Sequence, residues 1–216
     1  AAEIAYNAAG DFVVVWRGIG AEGDGDGQGI LAQVFDADGV AQSPQVVVNT
    51  TTAGNQTNQS VAMDADGDFV VAWESGEIMA QRFDRTGAKI GGEITVNSYT
   101  DLNQKNPSVG SDAAGNFTVV WQSQGDADPT TTGHEGGVFG RQFHADGSAS
   151  GAEFRVDEFA RPGAKPHDPK LAMNSSGDFA VTWYYDTGNF MREAPLQRFN
   201  ADATRQGGML SPIQNY

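Results

Sequence analysis

The chain states one pattern four times, and this repetition restricts its possible folds more than any other feature. Residues 10–16 read Gly-Asp-Phe-Val-Val-Val-Trp, 67–73 Gly-Asp-Phe-Val-Val-Ala-Trp, 115–121 Gly-Asn-Phe-Thr-Val-Val-Trp and 177–183 Gly-Asp-Phe-Ala-Val-Thr-Trp. A second motif follows each: Gln33-Val34-Phe35-Asp36, Gln81-Arg82-Phe83-Asp84, Arg141-Gln142-Phe143-His144 and Gln197-Arg198-Phe199-Asn200. A repeat of this length is one supersecondary unit that stacks on its neighbours to bury its faces. Repetition specifies a scaffold well and a chemistry poorly.

The second unit shows the strand content. Ser60-Val61-Ala62-Met63 is a short apolar run and Asp64-Ala65-Asp66-Gly67 a turn signal. Asp68 to Trp73 is β-branched and aromatic on both faces, the pattern of a strand buried on both sides. Ile78 to Phe83 and Glu93 to Asn97 supply a third and a fourth strand, with the turn Asp84-Arg85-Thr86-Gly87 between them. Four short strands in about 50 residues, with Trp and Phe at fixed places, predict an all-β β-propeller of four-stranded antiparallel blades. A β-sandwich or a β-solenoid is the alternative. The predicted blades span about 1–49, 58–97, 106–157 and 168–216 of a single repeat domain, with polar connections between them.

Length variation falls in one connection, between the second and third strands: 17–29, 74–77, 122–137 and 184–195. In a propeller these loops open on the same face as the polar connections from one blade to the next, 49–58, 97–106 and 157–168. Insertions confined to one face mark a binding face.

Bulk properties exclude some partners. The formal charge is −15 over 216 residues. That field repels nucleic-acid backbones and anionic membrane surfaces. No run approaches the ~18 consecutive apolar residues of a membrane-spanning helix. Cysteine is absent, and a chain of this size holds a core without disulfides. The opening residues Ala1-Ala2-Glu3-Ile4 fall inside the repeat, so the chain reads as a piece of a longer protein.

The string Gly-Asp-Phe-Val-Val-Ala-Trp, the following Ala-Gln-Arg-Phe-Asp, and Thr-Thr-Ala-Gly-Asn-Gln-Thr-Asn-Gln-Ser-Val-Ala at 51–62 resemble a tandem repeat. It is the repeat of very large bacterial exported proteins of the haemolysin-type (RTX-like) calcium-binding class. The resemblance covers essentially the whole chain and is clearest over 28–83. It implies an extracellular or cell-surface location, a multi-domain parent, an adhesive or structural role and calcium nearby. It transfers no catalytic residue.

Candidate sites follow from loop chemistry. Asp24 and Asp26 lie in a Gly-rich loop where carboxylates and backbone carbonyls could ligate calcium. Asp64, Asp66 and Asp68 have the alternate spacing that begins a calcium loop, but no later bidentate Glu, and a hairpin turn is the competing reading. Asn58, Asn106 and Asp168 occupy matching positions in three units and, with the aromatic Tyr184 and Tyr185, form the candidate glycan-binding set. Tyr99, Phe159 and Phe190 are further loop aromatics. Trp16, Trp73, Trp121 and Trp183 read as core rather than sugar platforms. His134 with His167 is a candidate zinc pair, and Asp126 with Glu135 a candidate glycosidase pair. With no nucleophile elbow or phosphate loop, the chain is expected to be a non-catalytic module. Its expected partners are neighbouring repeats or a second copy completing the ring, and glycans. A carbohydrate-binding propeller and, behind it, a glycan-processing enzyme are the competing functions.

Overall fold

The computed structural model describes residues 1–125, 136–157, 165–186 and 192–210. The fold is a β-propeller of four four-stranded antiparallel sheets. Blade 1 comprises β1 (Glu3–Tyr6), β2 (Phe12–Ile19), β3 (Gln28–Phe35) and β4 (Val46–Val47). Blade 2 comprises β5 (Thr57–Met63), β6 (Phe69–Ser75), β7 (Glu77–Phe83) and β8 (Lys89–Thr95). Blade 3 comprises β9 (Gln104–Ser111), β10 (Phe117–Ser123), β11 (Gly137–Phe143) and β12 (Phe154–Arg155). In each, strands pair in chain order. Blade 4 departs from this order. Its β13 (Lys165–Met173) and β14 (Phe179–Asp186) are regular, but β15 (Arg192–Glu193) and β16 (Leu196–Phe199) both pair with β14. Pro195 lies between those two segments and lacks the N–H a continuous third strand would donate.

The two sequence motifs are the two halves of one cross-strand contact. Phe12 lies opposite Phe35, Phe69 opposite Phe83, Phe117 opposite Phe143 and Phe179 opposite Phe199. Each pair is stacked, with ring centroids 4.8 to 5.0 Å apart. Such a pair pins the register of the second and third strands. The turn before each first motif is fixed equally locally. Oδ1 of Asn7, Asp64, Asp112 or Asn174 accepts the backbone N–H groups two and four residues on. The Gly that follows takes φ between +82° and +95°, a region costly for a side chain with a Cβ.

Blades associate through three apolar clusters. Phe69, Val71, Trp73 and Phe83 of blade 2 pack on Val13, Val15, Ala32 and Val48 of blade 1. Phe117, Val119, Trp121 and Phe143 repeat this on blade 2, and Phe179, Val181, Trp183 and Phe199 on blade 3. The first strands lie innermost and pack side by side: the Val109 N–H donates to Ser60 Oγ at 3.1 Å, and the Leu171 N–H to Ser108 Oγ at 3.0 Å. Among the described residues no fourth apolar cluster joins blade 4 to blade 1. Trp73, Trp121 and Trp183 are 1%, 1% and 2% exposed, whereas Trp16 is only half-buried.

A polar position closes each blade's outer end. Asn49, Asn97 and Asp157 accept the N–H of Ile30, Ile78 and Val138 through Oδ1 at 2.9, 2.7 and 3.1 Å. Asp157 is fully buried and ion-paired with Arg155 at 3.0 Å. Its burial outweighs the Arg155 contacts and raises its carboxyl above the ordinary value.

Two stability predictions follow from these contacts. Trp73→Ala removes a ring enclosed by blade 1 and costs about 3–5 kcal/mol in denaturant unfolding. Trp16→Ala, at the equivalent but half-buried position, costs less than half as much. Asp157 binds its proton more tightly when folded than when unfolded. Its contribution therefore favours the fold most below the ordinary carboxyl pKa of ~3.9, and that advantage is lost as pH rises through the raised value. Asp157→Asn, the amide that blades 1 and 2 already use, removes this slope. The melting temperature of the native protein minus that of Asp157→Asn falls as pH rises from ~4 towards neutrality.

Candidate functional site at the propeller axis

The first strands of blades 2, 3 and 4 carry an irregularity near their start. The register shifts between Thr57 and Ser60, between Lys105 and Ser108, and between His167 and Lys170. At each shift sits a non-glycine residue in the left-handed region: Asn58 and Asn106 at φ +52°, Asp168 at φ +46°. Asn and Asp tolerate this conformation best because their short polar side chains bond locally. The bulge turns these side chains away from the ladder and towards one another.

They form a hydrogen-bonded chain across three blades. Asn58 Nδ2 donates to Asn106 Oδ1 at 3.1 Å, and Asn106 Nδ2 to Asp168 Oδ1 at 2.5 Å. A second set joins from the residue after each repeat Trp. Glu74 Oε2 accepts from Asn58 Nδ2 at 2.8 Å and from the Asn106 N–H at 3.4 Å. Gln122 Oε1 accepts from Asn106 Nδ2 at 3.3 Å, and Tyr184 Oη donates to Asp168 Oδ2 at 2.7 Å. The His167 ring lies 5.5 Å from that of Tyr184, and its Nδ1 is 3.3 Å from Gln122 Nε2. Arg17 holds the corresponding position in blade 1 and donates to Gln28 Oε1 at 3.0 Å.

Beside this chain of hydrogen bonds lies a well of about 310 Å³ bounded by Ala1, Glu3, Arg17, Asn58, Asn106, Asp168 and Lys170, among others. It is formed by the starts of first strands and the ends of second strands, so it opens on the face carrying the variable loops. Carboxylate and amide oxygens there accept hydroxyl hydrogens and the amides and cations donate, with Tyr184 bonded to Asp168 from behind. This combination suits a polyhydroxylated ligand.

The other expected site residues have different places. Tyr185 is not at the well: it is 1% exposed and packs edge-on against Trp183 at 6.4 Å, because alternate residues of β14 face opposite sides. Asp24 and Asp26 knit the loop after β2 to the connection towards blade 2. Asp24 Oδ2 accepts from Asn49 Nδ2 at 2.5 Å, and Asp26 Oδ2 from the Gly54 N–H at 3.5 Å. Asp64 makes the turn described above, and Asp68 Oδ1 accepts the Arg85 N–H at 2.9 Å. Asp64, Asp66 and Asp68 line a recess of about 140 Å³ shared with Arg82 on the opposite face. Among the described residues no three His, Cys, Asp or Glu side chains are grouped to hold a metal ion. Asp126, His134, Glu135, Phe159 and Phe190 lie outside the described residues. Sequence reasoning missed Arg17 at the well and Glu74 and Gln122 in the hydrogen-bonded chain beside it, and it had His167 only as half of a zinc pair. Their signal was their constant place, one residue beyond each Trp for the first two and Gln122, and beside Asp168 for His167.

No protein-family model matches the chain, and no curated protein matches it by sequence. Solved structures do match by fold. A PL25 polysaccharide lyase, an ulvan lyase solved with -[GlcA(1-4)Rha3S]- bound, aligns over 99% of this chain and 58% of its own, with TM-score 0.59 and 13% identity. The α-L-arabinanase of Penicillium chrysogenum complexed with arabinobiose aligns over 95% of this chain and 65% of its own, with TM-score 0.60 and 14% identity. A protein of unknown function from Dyadobacter fermentans aligns over 100% of this chain and 69% of its own, with TM-score 0.64 and 12% identity. This chain thus spans less than two thirds of the lyase and the arabinanase. At these identities the likeness establishes the propeller fold alone. It still overturns the expectation that the chain is not an enzyme. That expectation took the repeat to be a scaffold without chemistry, and the same fold belongs to a polysaccharide lyase and a glycoside-cleaving enzyme.

The left-handed bulge gives a test of how the well is built. Asn106→Gly keeps the backbone and removes the amide links, whereas Asn106→Ala also forces a Cβ into φ +52°. The Ala variant is expected to be less stable than the Gly variant by about 1 kcal/mol in denaturant unfolding.

Proposed function

We propose that this chain is the glycan-handling propeller of a carbohydrate-active protein, and that a saccharide docks in the axial well. The observation that carries the reading is the well itself. Three repeat-equivalent polar side chains, Asn58, Asn106 and Asp168, are bent out of their strands and joined to Glu74, Gln122 and Tyr184 by hydrogen bonds. Structural positions alone do not need this arrangement, since each left-handed residue costs about 1–3 kcal/mol unless its surroundings impose it. A mixed set of amides, carboxylates and two cations fits the hydroxyls of a sugar. The neighbours by fold support the same reading, being structures solved with saccharides bound. The resemblance to repeats of exported calcium-associated proteins supports an extracellular setting, where polysaccharides are abundant.

The test is a panel of neutral and uronic-acid polysaccharides, assayed for binding by calorimetry and for cleavage by new reducing ends and by the ultraviolet absorbance of unsaturated products. Binding to at least one polysaccharide is expected. Asp168→Ala and Tyr184→Phe are each expected to weaken it about tenfold, equivalent to ~1.4 kcal/mol. Binding that survives both substitutions unchanged, or no binding across the panel, would overturn the proposal. Product release that both substitutions abolish would add catalysis to the same site.

A further inference from the structure

The three blade interfaces are built alike, and one blade face carries the same residues without the interface. Where blade 2 meets blade 1, it presents Phe69, Val71, Trp73 and Phe83, with Val61 and Met63 at the edge. The equivalents in blade 1 are Phe12, Val14, Trp16 and Phe35, with Ile4 and Tyr6. Their pairing inside the blade is the same: Ile4 opposite Val14, Tyr6 opposite Phe12, Trp16 opposite Leu31. Yet Phe12, Val14, Trp16 and Phe35 are only half-buried, and Ile4 and Tyr6 are 60% and 74% exposed. The turns show the same gap. Ideal Cβ positions at Gly67, Gly115 and Gly177 lie 3.5, 2.9 and 3.5 Å from Asn7, Asp64 and Asp112 of the preceding blade, whereas Gly10 has only Ala37 of its own blade nearby.

Blade 4 does not fill this place. The positions it would use, matching Val70, Ala72, Ala80 and Arg82 of blade 2, are Ala180, Thr182, Leu196 and Arg198, of which Arg198 is exposed and the other three half-buried. Leu210 beside them is 55% exposed.

We infer that the open face of blade 1 is a docking surface for one further blade of this same repeat. The intrachain interfaces state its chemistry position by position. The incoming face carries small β-branched or Ala residues where blade 1 has Val13, Val15 and Ala32, so that Phe12 and Trp16 seat between them as Phe69 and Trp73 do. It also carries a donor at the position of Arg82 or Gln142. These two donate to the backbone carbonyls of Ala145 and Ala201 in the next blade, at 2.5 and 2.9 Å. The carbonyl of Ala37 is the matching acceptor on blade 1. Continuity with three existing interfaces selects a repeat blade over an unrelated apolar partner.

The experiment adds residues 58–105 in register ahead of Ala1 of the full chain, since Ala1 stands where Asn106 stands after that stretch. Oxidative footprinting read by mass spectrometry then follows Tyr6, Phe12 and Trp16. In the chain alone these residues label readily, while Trp73 and Trp121 stay protected. In the fusion, labelling of Trp16 and Tyr6 is expected to drop several-fold and the melting temperature to rise. A control fusion with Asp at the added copies of Val70 and Ala72 should show neither change. Unchanged labelling in the fusion would overturn the proposal. So would protection of Trp16 in the isolated monomer, which assigns the face to blade 4. Protection that rises with protein concentration alongside a dimer would overturn it in favour of a second copy of this chain.

Discussion

The structure depends on one contact made four times, the stacked Phe pair between the second and third strands of each blade. In blades 2, 3 and 4 the pair is buried because Val and Ala residues of the preceding blade close over it. A blade alone would leave two apolar faces in water, so local register and assembly of the ring are one problem. The ring positions the axial residues to within hydrogen-bond reach across blades, which no single blade could do. Asn58, Asn106 and Asp168 meet because Trp73, Trp121 and Trp183 are each held by the blade before.

Much of this was legible in the chain. The repeat pattern and the turn signals define strands, blades and the face carrying long loops. The matching of Asn58, Asn106 and Asp168 was visible as a position in the repeat. Their meeting was not, because an Asn or Asp that opens a bulge reads like one that opens a turn. Tyr184 and Tyr185 illustrate the opposite limit. Adjacent aromatics in a loop-edge segment look equivalent, and only strand alternation sends Tyr184 to Asp168 and Tyr185 into the core. The acidic loops are a related case. Asp24, Asp26 and Asp64 have ligand-like spacing, and in the structure their oxygens accept hydrogen bonds that hold loops and turns together.

Blade 4 shows where the repeat has been altered most. Pro166 stands where Gln104 accepts from the Trp121 indole at 3.0 Å, and the buried Trp183 indole N–H has no such acceptor. A buried unpaired N–H costs about 1–3 kcal/mol. That cost falls next to Tyr184, the partner of Asp168, while the Phe179–Phe199 pair and the turn at Asn174 keep the form of the other blades. Blade 4 thus departs from the repeat both at the start of β13 and in its divided third strand, while the Phe pair and the turn are kept.

The differences among the inner residues argue against a purely architectural axis. If the inner residues only closed a ring, the positions facing one another would be free to stay alike, as the Phe pairs and turns do. Instead the bulge positions read Asn58, Asn106 and Asp168, with Ala1 at the matching place in blade 1, and those after the Trp read Arg17, Glu74, Gln122 and Tyr184. One strand position carries Glu3, Ser60, Ser108 and Lys170, of which the acid and the base line the well. A pseudosymmetric scaffold with an unsymmetric centre is what an unsymmetric ligand selects, because each of its polar groups needs a different counterpart. An oligosaccharide, directional along its chain and different on each face of every ring, is such a ligand.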